Sequence, residues 1–272
     1  MLRAMIPAAL LAVSAFAQPT ARLSPNLVGI AHVAIRVRDL DASVAFYKKL
    51  GFLEPFALSR DGKVYEAFLK INDHQFIELY PATEKQPQIG FLHVCFEGDN
   101  LQALHDYYAS KGLTPTDVKT AGAGNLLFTM QGPMTLTGPQ NLEYTQYMPG
   151  SMHWKDFGKD LGPDRIAERM YGVTVVVNDP IAARAFYVDK LGFDTMKLHL
   201  LLPSQQAGGE ILLQPTRPLG LKARLLFVVK SISEAAASLR QRGVPFTKDV
   251  VSDISLSDPD GNEILLIGPH VE

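Results

Sequence analysis

The chain has 272 residues, 47% of them hydrophobic and 20% charged, with 26 Lys and Arg against 28 Asp and Glu for a formal net charge of −2. That length holds two ordinary domains with buried cores, and the charge balance excludes the basic footprint of a protein that binds nucleic acid or an anionic membrane. A small-molecule partner is the expectation. The single Cys95 cannot close an intrachain disulfide, so the fold has to rest on its core.

In chain order, residues 1–17 read as a signal peptide: Arg3, an apolar run from Ala4 to Ala17, and Ala15-Phe16-Ala17 before Gln18. The run is shorter than the ~20 apolar residues of a membrane span and carries Pro7. Cleavage near Ala17 and Gln18 predicts a periplasmic or secreted protein with no membrane association afterwards. No cysteine stands at the cleavage site to take a lipid.

The mature chain repeats itself. A β-branched run over Ile30-Ala31-His32-Val33-Ala34-Ile35-Arg36-Val37 leads into Ala45-Phe46-Tyr47-Lys48-Lys49-Leu50-Gly51-Phe52. Later, Tyr171-Gly172-Val173-Thr174-Val175-Val176-Val177 leads into Ala185-Phe186-Tyr187-Val188-Asp189-Lys190-Leu191-Gly192-Phe193. Each is a strand, then a helix stopped by Gly. Weaker copies begin at Phe91-Leu92-His93-Val94-Cys95-Phe96 and at Leu225-Leu226-Phe227-Val228-Val229, with helices over 101–111 and 232–242 that stop at Gly112 and Gly243. Further strand-like segments follow, with turns at Gly138-Pro139-Gln140-Asn141 and Asp258-Pro259-Asp260-Gly261-Asn262. The organisation predicted is α+β: four βαβββ modules paired into two domains, 27–149 and 168–272, joined by a linker over 150–167. Each domain is a curved mixed sheet around a cleft, with its helices outside.

In the first domain each opening strand carries one His, His32 and His93, and each closing strand one Glu, Glu78 and Glu143. Strand alternation puts His32, Ala34 and Arg36 on one face and Val33, Ile35 and Val37 on the other. The same parity groups His74, Phe76, Glu78 and Tyr80, then His93 with Cys95, then Glu143, Thr145 and Tyr147. Two imidazoles and two carboxylates supply nitrogen and oxygen ligands for one divalent metal, and an octahedral ion keeps two positions for adjacent substrate oxygens.

These residues resemble the vicinal oxygen chelate superfamily, which includes glyoxalase I, methylmalonyl-CoA epimerase, extradiol dioxygenases and bleomycin or fosfomycin resistance proteins. The resemblance covers about Leu27 to Pro149 and Met170 to Pro269. It is carried by the His32 strand with Ala45-Phe46-Tyr47 and Leu50-Gly51-Phe52, by Phe76-Ile77-Glu78-Leu79, and by Asp258-Pro259-Asp260-Gly261-Asn262. It implies glyoxalase-like domains and places the metal ligands on His32, Glu78, His93 and Glu143. The closing turn departs from the family: Glu143 stands two residues after Asn141 where the family has three, and a hairpin shortened by two keeps the face parity. In the second domain Gly172, Leu212, Arg224 or Leu225, and Leu265 occupy the four places, and Glu263 falls at the wrong point of the turn. That domain is expected to hold no metal and to act as a structural partner.

A full set of four ligands resembles the glyoxalase and epimerase branch, which implies a lyase or isomerase moving a proton with Glu143 or Glu78 while His32 and His93 hold one Fe, Zn, Ni or Mn ion. Two alternatives stay open: an Fe(II)-dependent extradiol-type dioxygenase, and a non-catalytic binding or resistance protein with a pocket lined by aromatics such as Phe56, Tyr65, Phe68, Tyr107 and Trp154. His74 is a candidate supporting group, and Arg36 and Tyr147 candidate contacts to an anionic substrate. Family members assemble such sites within one chain or across a module-swapped dimer, so both monomer and homodimer fit.

Overall fold

The computed structural model describes residues 27–196, 199–203, 209–215, 222–248 and 253–269. The expected leader at 1–17 lies outside them.

Four times the chain runs strand, helix, three strands. The first half holds β1 (Leu27–Val37), α1 (Leu40–Lys49), β2 (Leu53–Arg60), β3 (Lys63–Lys70) and β4 (Phe76–Pro81), then β5 (Gly90–Gly98), α2 (Leu101–Ser110), β6 (Lys119–Thr120), β7 (Leu126–Thr135) and β8 (Gly138–Gln146). A short helix α3 (Met152–Lys155) follows. The second half repeats the order with β9 (Arg169–Val177), α4 (Pro180–Ala185), β10 (Asp194–Met196), β11 (His199–Leu201) and β12 (Glu210–Pro215), then β13 (Arg224–Val228), α5 (Ile232–Gln241), β14 (Thr247–Lys248), β15 (Ile254–Ser257) and β16 (Glu263–Ile267).

Local chemistry starts and stops the helices. Side chains of Asp39, Asn100, Asp179 and Ser231 accept from backbone amides of the first turn of α1, α2, α4 and α5. Gly51 ends α1 at φ 88°, and a Cβ there would lie 2.5 Å from Arg165 Cα, so only glycine fits. The second copy of the helical phrase has one residue more than the first. The surplus is absorbed as a π-helical turn, Phe186–Lys190, which leaves Tyr187 and Phe193 where their counterparts Tyr47 and Phe52 are, fully or almost fully buried.

Each half forms an eight-stranded mixed sheet, in the orders β2-β3-β4-β1-β5-β8-β7-β6 and β10-β11-β12-β9-β13-β16-β15-β14. The four-module α+β architecture is therefore present. Val33, Ile35 and Val37 face the helices, and one continuous apolar core runs from the first half into the second. Phe52 stacks on Phe227 at 5.5 Å between ring centroids, and Phe193 meets Phe96 at 5.6 Å. Each Leu-Gly-Phe phenyl thus inserts against an opening strand of the other half, and each such burial is worth about 1.5–3 kcal/mol.

Two local expectations are corrected. The connection of β7 to β8 turns at Leu136 and Thr137, whereas Gly138-Pro139-Gln140-Asn141 is already strand, with Met134 opposite Pro139. Proline is tolerated there because β8 pairs with β5 only from Asn141 onward. His74 lies in the turn before β4, where its amide donates to the Asn72 side chain at 2.9 Å, so strand parity does not govern it.

Segment 150–167 packs closely on the first half. Lys70, fully buried on β3, donates to the Asp156 carboxylate at 2.6 Å, the Asp73 carboxylate at 2.8 Å and the Asp156 and Lys159 carbonyls. Ile166 N donates to Leu50 O at 2.8 Å.

Candidate metal centre

β1 lies between β4 and β5, and β5 between β1 and β8, so the four strands that carry the expected ligands are neighbours. Ala34 stands opposite both Glu78 and His93, while Cys95 stands opposite both His32 and Glu143. All four side chains are buried or nearly so. His32 Nε2 lies 3.1 Å from His93 Nε2 and 3.3 Å from Glu143 Oε1, and His93 Nε2 lies 3.9 Å from Glu143 Oε2. Around a single ion with bonds near 2.1 Å, neighbouring ligand atoms sit about 3.0 Å apart in an octahedron and about 3.4 Å in a tetrahedron. The three donors therefore fit one ion, and they are the one such group found among the described residues.

Glu78 is brought to the same place but turns elsewhere. Its Oε1 lies 2.9 Å from His32 Nδ1, on the far side of the ring from the donor nitrogen, and it stands outside the convergent group. This is the arrangement in which a carboxylate orients a metal-bound imidazole and fixes its tautomer. Burial pushes the Glu78 carboxyl up, but the adjacent His32 outweighs that and holds it well below the usual range. At His32 burial pushes down, while Cys95, Glu78 and Glu143 raise the imidazole well above its ordinary value. Burial lowers His93, which favours the neutral form that ligates a metal.

Two site residues escaped the sequence reading. The Tyr80 hydroxyl lies 2.6 Å from Glu66 Oε1 and 2.9 Å from Glu78 Oε2, tying two carboxyl groups together. Burial, with Glu78 beside it, raises Glu66 to about 8. Tyr80 was legible as a member of the Glu78 face; Glu66 showed only as one acid in the apolar run of β3, at even spacing from Phe68. A cavity of about 320 Å³ opens over the site between Glu66, Glu78, Phe68, Lys119, Asn125 and Glu143.

The remaining candidates lie outside this cavity. His74 pairs with Glu97 at 2.9 Å, Arg36 donates to Gln86, and the Tyr147 hydroxyl donates to the His74 carbonyl. His153, which the sequence did not single out, reaches from α3 into an aromatic box: it stacks on Tyr147 at 4.5 Å and stands edge-on to Phe56, Phe68 and Phe76. Among the described residues neither of its ring nitrogens has a hydrogen-bond partner, and burial pushes it down to about 4.

In the second half the strand register puts Leu212, Arg224 and Leu265 where Glu78, His93 and Glu143 stand in the first. Arg224, rather than Leu225, takes the second His place and pairs with Glu263. Gly172 takes the first His place: a Cβ there would lie 2.6 Å from Glu210 O and 2.8 Å from Glu210 Cγ. The hollow is filled by Glu210, itself paired with His199 at 2.7 Å.

Residues 29–141 match the sequence model of the Glyoxalase/Bleomycin resistance protein/Dioxygenase superfamily. No curated protein matches the chain in sequence. Among solved structures, a 2,3-dioxygenase from Pseudomonas is similar with TM-score 0.65 and 16% identity, over 90% of this chain and 93% of that one. The Mn(II)-bound glyoxalase from Novosphingobium aromaticivorans aligns with TM-score 0.62 and 16% identity, over 89% and 82%. Homoprotocatechuate 2,3-dioxygenase from Arthrobacter globiformis aligns with TM-score 0.61 and 17% identity, over 90% and 80%. At these identities the likeness is one of fold.

Proposed function

From the match of residues 29–141 to the glyoxalase, bleomycin resistance protein and dioxygenase superfamily, we propose that the chain is a metal-dependent enzyme acting on a small substrate with two adjacent oxygens. The observation that carries this is the convergence of His32, His93 and Glu143 beneath a cavity of about 320 Å³. A divalent ion bound there would supply Lewis-acid activation of those oxygens. His32, His93 and Glu143 would hold it. Glu78 sets the His32 ring, and the hydroxyl of Tyr80 couples Glu78 to Glu66 at the cavity wall.

Two His and one carboxylate form the ligand set used by non-haem Fe(II) oxygenases. With Glu78 engaged at Nδ1, the geometry favours ring-cleaving oxygenation of a catechol-like substrate, and the dioxygenases among the similar structures agree with that reading. The lyase or isomerase reading stands second. What favours it is the closeness of Glu78 to the donors and its hydrogen-bonded link to Glu66, a route for a proton. Export remains a proposal from residues 1–17 alone, as does a monomer or homodimer; the donors meet within one chain.

The test is elemental mass spectrometry of protein starting at Gln18, beside His32→Ala, His93→Ala, followed by oxygen uptake with catechol after anaerobic loading with Fe(II). About one ion per chain, lost in the variant, with uptake of oxygen, is expected. Bound metal without oxygen uptake moves the assignment to proton transfer, and failure to load any metal sinks both readings.

A further inference from the structure

Between the halves, and lined by none of His32, Glu78, His93 and Glu143, lies a second cavity of about 380 Å³. The first half contributes Ile89, the start of β5 from Gly90 to Leu92, and the β7–β8 hairpin. The second contributes Val175 and Val176 of β9, Lys222 and Ala223 before β13, and the turn residues Asp260 and Asn262. Crevices of this size between domains are where small ligands most often sit.

Its walls are mostly apolar, and part of that surface is left open to water. Leu136 at the hairpin tip is 66% exposed and Ile89 37% exposed, an unfavourable arrangement that an apolar occupant would relieve. The polar groups are few and unevenly charged. Lys222 Nζ donates to the Gly261 carbonyl at 3.0 Å and has no carboxylate partner among the described residues. The acid on the same wall, Asp260, is already committed: it accepts from Arg38 N at 2.7 Å, with Arg38 Nε at 3.9 Å. Among the described residues the cavity therefore presents one cation without a carboxylate partner. One amide completes it: the Asn141 side chain, which makes no hydrogen bond among the described residues.

We propose that this cavity is a second binding site, for a small apolar molecule carrying one carboxylate or sulfonate. Leu136, Ile89 and Val176 hold the apolar body, and Lys222 holds the anion. The site shares β5 and β8 with His93 and Glu143 but none of their side chains, so it stands independently of the metal reading.

The test uses two fluorescent probes on the purified chain: 8-anilinonaphthalene-1-sulfonate, an apolar anion, and N-phenyl-1-naphthylamine, its uncharged counterpart. Saturable binding of both is expected. Lys222→Met should weaken the sulfonate about tenfold, the scale of one charge-assisted contact, and leave the uncharged probe unaffected. Val176→Trp, which fills the cavity, should abolish both, whereas His32→Ala, His93→Ala should change neither. Sulfonate binding that is indifferent to Lys222→Met, that is lost with the metal-site pair, or that never saturates overturns the proposal. Lys222→Met removes one charge and one hydrogen bond to the Gly261 carbonyl without filling the cavity, so it remains decisive where the tryptophan variant folds poorly.

Discussion

The Tyr47 hydroxyl crosses from the first half to the second and donates to the Asp258 carboxylate at 3.3 Å. The relationship is mirrored: Tyr187, at the same place in the second copy of the helical phrase, donates to the Gln140 side-chain carbonyl at 2.9 Å. Together with the Phe52–Phe227 and Phe193–Phe96 pairs, each half docks through the same residues of its repeat. The two contacts differ in what remains when they are cut. Asp258 keeps three donors, from Asp260 N, Asn262 N and Asn262 Nδ2. Gln140 would be left with no partner among the described residues at either end of its amide. Tyr47→Phe is expected to cost about 1 kcal/mol and Tyr187→Phe about 2 kcal/mol in urea unfolding.

Lys70 is the latch for segment 150–167. Lys70→Met leaves Asp73 and Asp156 without their buried cation, and the expected loss is about 3–5 kcal/mol, the scale for breaking a buried ion pair from one side. Limited proteolysis should then cut inside 150–167 faster than in the wild type. Adding Asp156→Leu to Lys70→Met should recover part of the loss.

His153 makes stability depend on pH. With a folded value near 4 against an ordinary 6.5, the unfolded chain binds the proton first as pH falls. Stability is therefore full above 6.5 and declines towards 4, by at most roughly 1.4 kcal/mol per pH unit. His153→Phe keeps the ring and removes two unpartnered nitrogens. Its unfolding midpoint should equal or exceed that of wild type at pH 7, and it should lose less stability between pH 7 and 5.

Glu78 and Glu143 should separate by metal affinity. Glu143→Ala removes a donor and should abolish binding, whereas Glu78→Gln disturbs only the orientation of His32 and should weaken binding about 10–100-fold. Competition with a chelator measures both. If Glu78→Gln loses the metal as completely as Glu143→Ala, Glu78 is a fourth ligand and the proton-transfer reading gains.

Much of this protein follows from the sequence by itself. The β-branched runs before Ala-Phe-Tyr and Leu-Gly-Phe, and the glycine stops at 51, 112, 192 and 243, are local signals in which backbone preference and apolar period agree. They specify the repeated strand and helix, and alternation along β1 and β5 already puts His32 and His93 on the face opposite the core. The loss of ligands from the second half was legible in the same way, because Leu212 and Leu265 have no donor atoms.

Tertiary structure decided the rest, because the remaining questions turned on distances between strands far apart in the chain. That Glu78 Oε1 lies 2.9 Å from His32 Nδ1 comes from side-chain direction within a register, to which alternation is blind. Arg224 rather than Leu225 holds the second His place because Thr174 pairs with it across the sheet. Glu66 entered the site through the pairing of β3 with β4, and His153 through a segment that looked like a connector until the buried Lys70 pinned it down. Strand propensity carries a side chain to a face, but only the packed sheet brings four such faces to within hydrogen-bond distance of one another.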